Sequence, residues 1–400
     1  MTLLSRSFPW RDPTLVAESL ACIHGEQGLI WLDGDGSELG RHITLAADPV
    51  EHHCCRGLPG DPGATNPFAT LRHLSAGHWT GWLSYDAAAW TEPTNPWRRD
   101  VMATLWIARH DPVLRFDLQS REIHLEGIDP ERHAAMVRHL ETLSTEERHP
   151  RRWPMLGCSW HRHSDRSSYM AGVSRIRELI ASGDLFQANL TSCTSSSIGP
   201  SVGNLELYGR LRDRCPAPFS GVLIGNGAAA GEAVLSTSPE RFLQVETDGA
   251  VQTRPIKGTR PRHTDPIIDD DLAADLVCSA KDRAENVMIV DLLRNDLGRV
   301  CRPGSVQVPE LVRLESYARV HHLTSVVTGQ LQPQTTWVDL LEASWPGGSI
   351  TGAPKLRACQ RLHELEAQGR GPYCGSLLHL DWNGRFDSNI LIRTLLRKDE

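Results

Sequence analysis

The sequence lacks long hydrophobic runs and lacks an excess of basic residues. No stretch approaches the roughly 18 apolar residues that a membrane-spanning helix needs. Residues 1–15 mix Arg, Pro, Asp and Trp where a signal peptide would have an apolar centre. The formal net charge is −7, whereas contact with nucleic-acid phosphates requires clustered Lys and Arg. These absences argue against a membrane protein and a nucleic-acid binder, and they predict a cytoplasmic location.

The ten cysteines form no recognisable pattern. One adjacent pair, Cys54-Cys55, is present, and no Cys-x-x-Cys spacing occurs, which predicts free thiols in a reducing compartment. His52–Cys55 offers metal-binding residue types, but four consecutive side chains cannot easily point at one ion. A Gly-x-Cys-x-Gly glutaminase elbow is also missing, because Cys374 lacks the glycine two residues before it.

Residues 1–150 contain short strand-like segments separated by Gly, Pro and Asp. Gly28–Leu32 and Gly81–Tyr85 are two of these segments, and their turn-forming neighbours bound them as expected for strands. Residues 146–154 are polar and contain two prolines. We therefore predict a boundary there, between an N-terminal domain over 1–150 and a second domain over 155–400.

Three helices are predicted in the second domain. The first follows the cap Ser164-Asp165 and ends at Gly183. Its apolar face consists of Val173, Ile176, Leu179 and Ile180. The second helix begins at Ser279 and the third at Pro354, because both residue types favour the first turn of a helix.

Strand and turn signals occur between these helices. Asp184–Thr191 alternates apolar and polar residues, and Ala233–Glu246 is typical of a single strand. Asp248-Gly249 predicts a hairpin turn into Ala250–Ile256, and Asn383-Gly384 predicts a second hairpin. The pattern predicts an α+β class with antiparallel sheet and outer helices, because no strand–helix–strand rhythm is present.

Five phrases are too polar and too particular to be core-forming sequence. They are Gly183–Leu190, Ser236–Phe242, Thr253–Arg262, Lys281–Asp296 and Pro346–Lys355, and two further phrases, Gly371–Gly375 and Asp387–Arg393, follow them. In this order they closely resemble the chorismate-utilising enzymes, which include anthranilate, aminodeoxychorismate, isochorismate and salicylate synthases. The resemblance implies two antiparallel β-sheets packed as a sandwich with helices on the outside. Residues 1–150 resemble the family only loosely.

Within that family, two positions separate the reactions. Isochorismate and salicylate synthases carry a lysine base where this chain has Gln187, and anthranilate synthases carry a small residue where it has Lys257. The combination resembles the aminodeoxychorismate synthases, whose lysine is the proposed nucleophile. Replacing the 4-hydroxyl of chorismate by ammonia is easier in two displacements, the first by an amine that adds at C2. The alternative for Lys257 is a solvated lysine after a hairpin.

The lysine must be neutral to attack, which requires burial or a cationic neighbour. Arg254, Arg260 and Arg262, which lie close in the sequence, and bound Mg²⁺ are the candidates for that neighbour.

Two further residues match catalytic positions of the family. Glu240 matches the general acid, which a leaving hydroxide requires; the alternative is a salt bridge between Glu240 and Arg241. His322 matches the active-site histidine, although a lone strand histidine is more often structural.

Six residues match substrate-binding positions by resemblance. They are Gly258, Thr259, Thr351, Tyr373, Arg393 and Gln187. Arg393 would hold a chorismate carboxylate, because a planar guanidinium fits two oxygens. For Thr351 the alternative is an N-cap of the helix that follows.

The family also implies Mg²⁺, a hard cation that can bridge carboxylates of protein and substrate. Glu285 matches one ligand; the alternative is a surface charge paired with Lys281. The remaining ligands in the family follow a Gly-rich loop beyond the strand that holds Arg393, and the sequence ends at Glu400 without that segment. Glu364 and Glu366 do not match it. We therefore expect weak Mg²⁺ binding and weak or absent activity.

These observations predict a function and its partners. The chain would convert chorismate and ammonia to 4-amino-4-deoxychorismate in the 4-aminobenzoate branch of folate biosynthesis, as an amino-group transferase. The ammonia would come from a separate glutamine amidotransferase subunit or from solution. The alternatives are an anthranilate synthase component I and a chorismate-binding subunit without turnover.

Overall fold

The computed structural model describes residues 2–144, 153 and 155–399. Its helices are α1 Pro13–His24, α2 Pro67–Arg72, α3 Pro130–Thr142, α4 Arg166–Ala181, α5 Asn204–Arg214, α6 Pro266–Cys278, α7 Ala280–Gly298, α8 Trp337–Ser344 and α9 Lys355–Leu365. Its first eleven strands are β1 Leu4–Pro9, β2 Ile30–Asp33, β3 His42–Ala46, β4 Glu51–Cys55, β5 His78–Leu83, β6 Leu105–His110, β7 Val113–Asp117, β8 Glu122–Gly127, β9 His161–Arg162, β10 Gln187–Ala188 and β11 Thr194–Ser195.

The remaining strands are β12 Phe219–Ile224, β13 Glu232–Ser238, β14 Arg241–Val245, β15 Ala250–Thr253, β16 Ile256–Pro261, β17 Gln307–Ser316, β18 Val320–Gln330, β19 Gly352–Ala353, β20 Ser376–Leu380, β21 Phe386–Asn389 and β22 Thr394–Lys398.

Two antiparallel sheets organise the molecule. Sheet I has the order β1-β8-β7-β3-β2-β12-β13-β22, and sheet II runs from β18 through β15, β14, β21, β20, β5 and β6 to β4. In sheet II, β17 also pairs with β18, whereas β15 and β16 pair with successive stretches of β18. Two short ladders, β10 with β19 and β9 with β11, lie outside both sheets.

The two sheets pack face to face. Ile30, Leu223 and Val234 of sheet I share one buried cluster with Trp82 and Trp106 of sheet II. Further clusters join α1 to the other face of sheet I and α7, α8 and α9 to the other face of sheet II. The predicted α+β sandwich with outer helices is therefore confirmed. Among the described residues, no helix has the length and apolarity needed to cross a membrane.

Both sheets combine strands from the two sides of the predicted domain boundary. Sheet I joins β1, β2, β3, β7 and β8 to later strands, and sheet II joins β4, β5 and β6 to later strands. The predicted domains, 1–150 and 155–400, therefore do not correspond to separate sheets. The boundary segment lies mostly outside the described residues.

Several helix ends and turns were predicted correctly from local sequence patterns. Asp165 caps α4 and Ser279 caps α7 through their side chains, as their residue types predict. Gly249 and Gly384 have positive φ in the turns between paired strands, which confirms both hairpins. One expectation for α4 was wrong, since Ile180 is 40% exposed.

Two strand predictions were also wrong. Of Asp184–Thr191, only β10 is extended and paired, and Phe186 is 65% exposed. The segment Ala233–Glu246 is not one strand, because β13 belongs to sheet I and β14 to sheet II. The chain passes from one sheet to the other at Pro239-Glu240.

A second passage between the sheets lies beside the first. The chain leaves sheet II at β21 and enters sheet I at β22, and residues 390–393 connect them. The Ile390 N–H donates to the Glu240 carbonyl at 3.1 Å, and the Ser238 hydroxyl donates to the Ile390 carbonyl at 2.6 Å. These bonds fasten the two passages to each other.

Candidate active site

Lys257 lies on β16, where the strand is half-buried and its pairing with β18 is irregular between Ile256 and Thr259. The Lys257 ammonium donates to the Ser349 carbonyl at 2.9 Å and to Asn189 Oδ1 at 3.5 Å. These partners do not fit the alternative of a freely solvated lysine. The amine is held by two loops that come from distant parts of the sequence.

Glu240 lies at the first passage between the sheets and is 5% exposed. The Ser349 side chain and the Ile256 backbone lie beside its carboxyl group and stabilise the ionised form. Burial raises the pKa of Glu240 to about 7, although these groups and the positive charge of Lys257 oppose the rise. Glu240 can therefore keep its proton near neutral pH and donate it.

The alternative role for Glu240 was wrong. Arg241 forms a two-point salt bridge with Asp387, at 3.0 and 2.9 Å, and this bridge lies within sheet II. Glu240 points to Ser349 instead, so the two neighbouring residues face different partners.

His322 lies on β18 and is buried directly opposite Thr259. Its Nδ1 lies 2.9 Å from the Thr259 hydroxyl. Burial, together with the nearby positive charge of Arg393, lowers the pKa of His322 to about 4. The imidazole is therefore neutral at neutral pH and can take part only through hydrogen bonds or proton acceptance.

Gly258, between Lys257 and Thr259, has a φ of +89°. A Cβ atom there would lie 2.9 Å from Asp282 Cβ and 3.0 Å from Leu276 Cδ1. A larger residue would therefore strain the backbone and collide with α6 and α7.

Arg393 lies in the second passage between the sheets, in the left-handed region with a φ of 52°. Its side chain is exposed, and Nη1 donates to Cys215 Sγ at 3.8 Å. Its carbonyl accepts from the Thr237 N–H at 3.1 Å, which fixes the backbone. Its charge acts on His322, so the two matched residues lie near each other.

Gln187 and Thr351 lie in two segments that are held together by a short ladder. Gln187 pairs with Ala353, and its Oε1 is buried without a hydrogen-bond partner among the described residues. The Thr351 hydroxyl donates to the Gly347 and Gly348 carbonyls. The alternative N-cap role of Thr351 was wrong, because the N-cap of α9 is Pro354.

Tyr373 is half-buried in the loop before β20, and its N–H donates to the Arg370 carbonyl at 3.1 Å. Arg370 also bonds the segments that carry Gln187 and Thr351. Tyr373 therefore belongs to the same assembly of loops.

The three arginines expected to influence Lys257 are each paired with carboxylates of their own. Arg254 pairs with Glu315, Arg260 with Asp275 and Asp282, and Arg262 with Asp269. The positive charge of each arginine is therefore partly balanced by a carboxylate, and their effect on Lys257 stays a prediction.

Glu285 lies on α7 and pairs with Lys281, with its Oε1 3.8 Å from Nζ. No group of three or more His, Cys, Asp or Glu side chains that could hold a metal occurs in the described part of the chain. The pairing of Glu285 with Lys281, which was the alternative expected for this residue, is present. A cation at Glu285 would depend on water or substrate for most of its ligands.

Sequence reasoning did not single out Ser349, Asn189, Arg370 or Glu366. Ser349 and Asn189 lie inside two of the family phrases, and their polarity in buried phrases was the available signal. Glu366 was set aside because it does not match a metal-ligand motif. The structure places it against Arg370 instead.

An open groove of about 780 Å³ lies elsewhere, between α7 and the start of α9. Its walls include Phe186, Leu292, Trp345 and the ion pair Asp296–Lys355. None of the residues matched to catalysis or substrate binding lines this groove.

The chain is similar to proteins of known family. It is 46% identical over 253 residues to aminodeoxychorismate synthase component 1 of Salmonella typhimurium, which covers 63% of this chain and 54% of that protein. It is 38% identical over 362 residues to the component 1 protein of Klebsiella aerogenes, covering 88% of this chain and 75% of that protein. The match to the Salmonella protein thus spans about half of that protein's length.

The fold is similar to the crystal structure of anthranilate synthase component I from Streptococcus pneumoniae. The TM-score is 0.74 at 28% identity, with 89% of this chain and 84% of that chain covered. The family model described as "chorismate binding enzyme" matches residues 36–400, and the chain belongs to this family of chorismate binding enzymes.

Proposed function

We propose that the chain forms 4-amino-4-deoxychorismate from chorismate and ammonia, a step toward 4-aminobenzoate and folate. The observation that carries the proposal is the junction of Lys257 and Glu240 at Ser349. An amine that can attack and a carboxyl group that can keep a proton near neutral pH lie on either side of one residue. The names of the Salmonella and Klebsiella relatives support the same reaction.

In the first displacement, Lys257 gives its ammonium proton to solvent, and the resulting amine forms a bond to C2 of the chorismate ring. The ring double bonds shift, the C4–O bond breaks, and Glu240 protonates the departing hydroxyl, which leaves as water. Glu240 ends this step ionised, and the nitrogen of Lys257 carries the positive charge. Without the proton from Glu240, the leaving group would be hydroxide.

In the second displacement, ammonia forms a bond to C4. The ring electrons shift back, the bond between C2 and Lys257 breaks, and the lysine leaves as a neutral amine. The new C4 ammonium group returns one proton to Glu240. The acid and the nucleophile are therefore both restored for the next turnover.

Three residues support binding of the substrate in this proposal. Arg393 is exposed in the passage between the sheets and presents a planar donor group to a carboxylate. His322, neutral and bonded to Thr259, offers a hydrogen-bonding ring close to Arg393. The unpartnered Oε1 of Gln187 would accept a hydrogen bond from ligand or water.

The ammonia source and the metal complete the proposal. A glutamine amidotransferase subunit supplies the ammonia, because the chain has no glutaminase elbow and both relatives are named component 1. Mg²⁺ would neutralise a substrate carboxylate, with Glu285 as its protein ligand.

The test is to incubate the protein with chorismate, Mg²⁺ and an ammonium salt and to identify the product. The proposal expects a product that keeps the enolpyruvyl group. A fluorescent product formed with release of pyruvate would instead identify an anthranilate synthase, the activity of the Streptococcus pneumoniae protein with the similar fold. Chorismate binding without any product would favour a non-catalytic subunit.

A further inference from the structure

Arg370 and Glu366 form a buried ion pair beside the active-site loops. Arg370 Nε donates to Glu366 Oε2 at 3.0 Å and Nη2 donates to Oε1 at 2.7 Å. Their side chains are 2% and 8% exposed. The Arg370 guanidinium also lies 4.6 Å from the centre of the Tyr85 ring. A buried ion pair is favourable only when its remaining donors and acceptors are also satisfied, so these atoms need further partners.

The further partners of the pair are in the active-site loops. Arg370 donates to the Asn189 carbonyl at 2.8 Å and to the Ile350 carbonyl at 2.9 Å. Glu366 accepts from the Thr191 N–H at 3.0 Å and from its hydroxyl at 2.9 Å. The pair therefore fastens the segment 187–191 to the segment 347–351.

Those two segments supply the oxygens that hold Lys257. The Ser349 carbonyl lies next to Ile350, and Asn189 provides both its own Oδ1 for Lys257 and the carbonyl that Arg370 bonds. The Asn189 Nδ2 also donates to the Ser349 and Thr351 carbonyls. Displacement of either segment would therefore move the partners of Lys257.

Direct pairing between the segments is too short to fix their position. The ladder of β10 with β19 contains two residue pairs, extended by bonds from the Phe186 and Asn189 N–H groups. Isolated two-stranded ladders are marginally stable in water. The buried ion pair adds charge-assisted bonds, which are roughly twice as strong as neutral ones.

We infer that Arg370 and Glu366 are positioning residues that hold the loops 187–191 and 347–351 in register. They thereby keep Lys257 in position to attack and Glu240 in position to donate its proton. This inference rests on the proposed role of Lys257. Arg370 acts on Lys257 through Asn189 and Ile350, and on Glu240 through the loop that carries Ser349. Neither residue needs to touch the substrate for this effect.

The test compares two matched substitutions at the C-terminal end of α9, Glu366→Gln just after the helix and Glu364→Gln in its last turn. Glu364 pairs with Arg361 at the surface, where its side chain is 55% exposed, and it is the control. Amide hydrogen exchange is measured on peptides that cover 186–191 and 347–353. Glu366→Gln should speed exchange of these peptides by about tenfold or more, since the loops open more readily, whereas Glu364→Gln should not change it.

Kinetics provide the functional half of the test. Glu366→Gln should lower kcat by roughly tenfold to a hundredfold, while KM for chorismate stays within about twofold, because small displacements of reacting groups cost rate more than binding. Formation of the covalent adduct at Lys257, followed by mass spectrometry, should slow by the same factor. Arg370→Lys should restore part of the rate that Arg370→Met loses.

Melting curves show which variants are folded at the assay temperature. Hydrogen exchange tests the positioning role of Arg370 and Glu366 independently of activity. Unchanged exchange in folded Glu366→Gln overturns the inference, and so does a normal kcat in that variant. If the wild-type chain forms no adduct at Lys257, the proposed reaction fails, whereas a normal adduct rate in Glu366→Gln removes only the positioning role.

Discussion

Lys257 donates to the backbone carbonyl of Ser349 at 2.9 Å. The side chain of the same serine lies beside the carboxyl group of Glu240 and stabilises its ionised form. The proposed nucleophile and the proposed acid therefore share one partner, although 16 residues separate them in the sequence and Ser349 follows Lys257 by 92 residues. A displacement of Ser349 would act on both groups, which the first predictions test separately.

Lys257→Arg should abolish most turnover and leave chorismate affinity unchanged. A guanidinium can still donate to Ser349, but it stays protonated and cannot attack C2. The loss of kcat should reach about three powers of ten, the usual scale for removal of a catalytic group. Steady-state rates with ammonium and calorimetric titration of chorismate measure the two effects. Lys398→Arg, at an exposed position, is the control, and near-normal turnover in Lys257→Arg would end the nucleophile hypothesis.

The fraction of Glu240 that can act as the acid should fall as the pH rises above about 7, because Glu240 must be protonated for this role and burial raises its pKa to about 7. The rate has to be compared at a constant concentration of free ammonia, since ammonium also loses its proton at higher pH. Glu240→Gln should lose most of the activity, and the activity that remains should lack any decline caused by loss of the Glu240 proton. If Glu240→Gln stays active and its rate declines at high pH as in the wild type, this role is contradicted.

Glu240 should also make folding less favourable at high pH. The folded pKa of about 7 lies above the usual value of 4.5, so the stabilising contribution is fully present below about pH 4.5 and is lost as the pH rises through 7. Between about pH 5 and pH 8, the wild-type protein should lose about 3 kcal/mol more unfolding free energy than Glu240→Gln. Urea unfolding at both pH values measures the difference, and parallel losses in the two proteins would refute the raised pKa.

The isolated chain should use ammonium salts and should not use glutamine. The reason is the absence of a glutaminase elbow from the sequence. Product formation is measured with each nitrogen source, and addition of a glutamine amidotransferase subunit should restore the use of glutamine. Glutamine-supported product from rigorously pure protein would show that the chain itself hydrolyses the amide.

Half-saturation with Mg²⁺ should require millimolar concentrations. Glu285 is the matched carboxylate, and a hard cation held mainly by water and substrate binds weakly. Glu285→Gln should raise the required concentration further, whereas Glu364→Gln should leave it unchanged. Calorimetric titration with Mg²⁺ in the presence of chorismate checks this independently of turnover; micromolar affinity would show that other residues complete the site.

Local chemistry explains which elements could be predicted from the sequence. A glycine after Asp248 or Asn383 adopts positive φ in a tight turn, whatever surrounds the hairpin. By contrast, the residues from Ala233 to Val245 are buried on both sides of the break at Pro239. Hydrophobicity identifies burial but not which sheet a strand joins, so the passage between the sheets could not be predicted.

In the site too, residues within continuous phrases could be predicted, whereas contacts between distant segments could not. Resemblance supplied Lys257 and Glu240 because their phrases are continuous in the sequence. The partner of Arg254 could not be found in that way, because Glu315 is 61 residues away. The contact of Ser349 with both catalytic candidates likewise depends on how separate loops are packed.

The two neighbouring passages between the sheets make the site a late product of folding. Glu240 and Arg393 reach their places only when β13, β14, β21 and β22 have all found their partners, and those pairings join distant parts of the chain. Such contacts form slowly, because closing long loops costs entropy before any contact compensates for it. A chain with one completed sheet would therefore have a core but no active site. Conversely, a substrate that bridges Glu240 and Arg393 would tie the two sheets together and oppose unfolding of the whole sandwich.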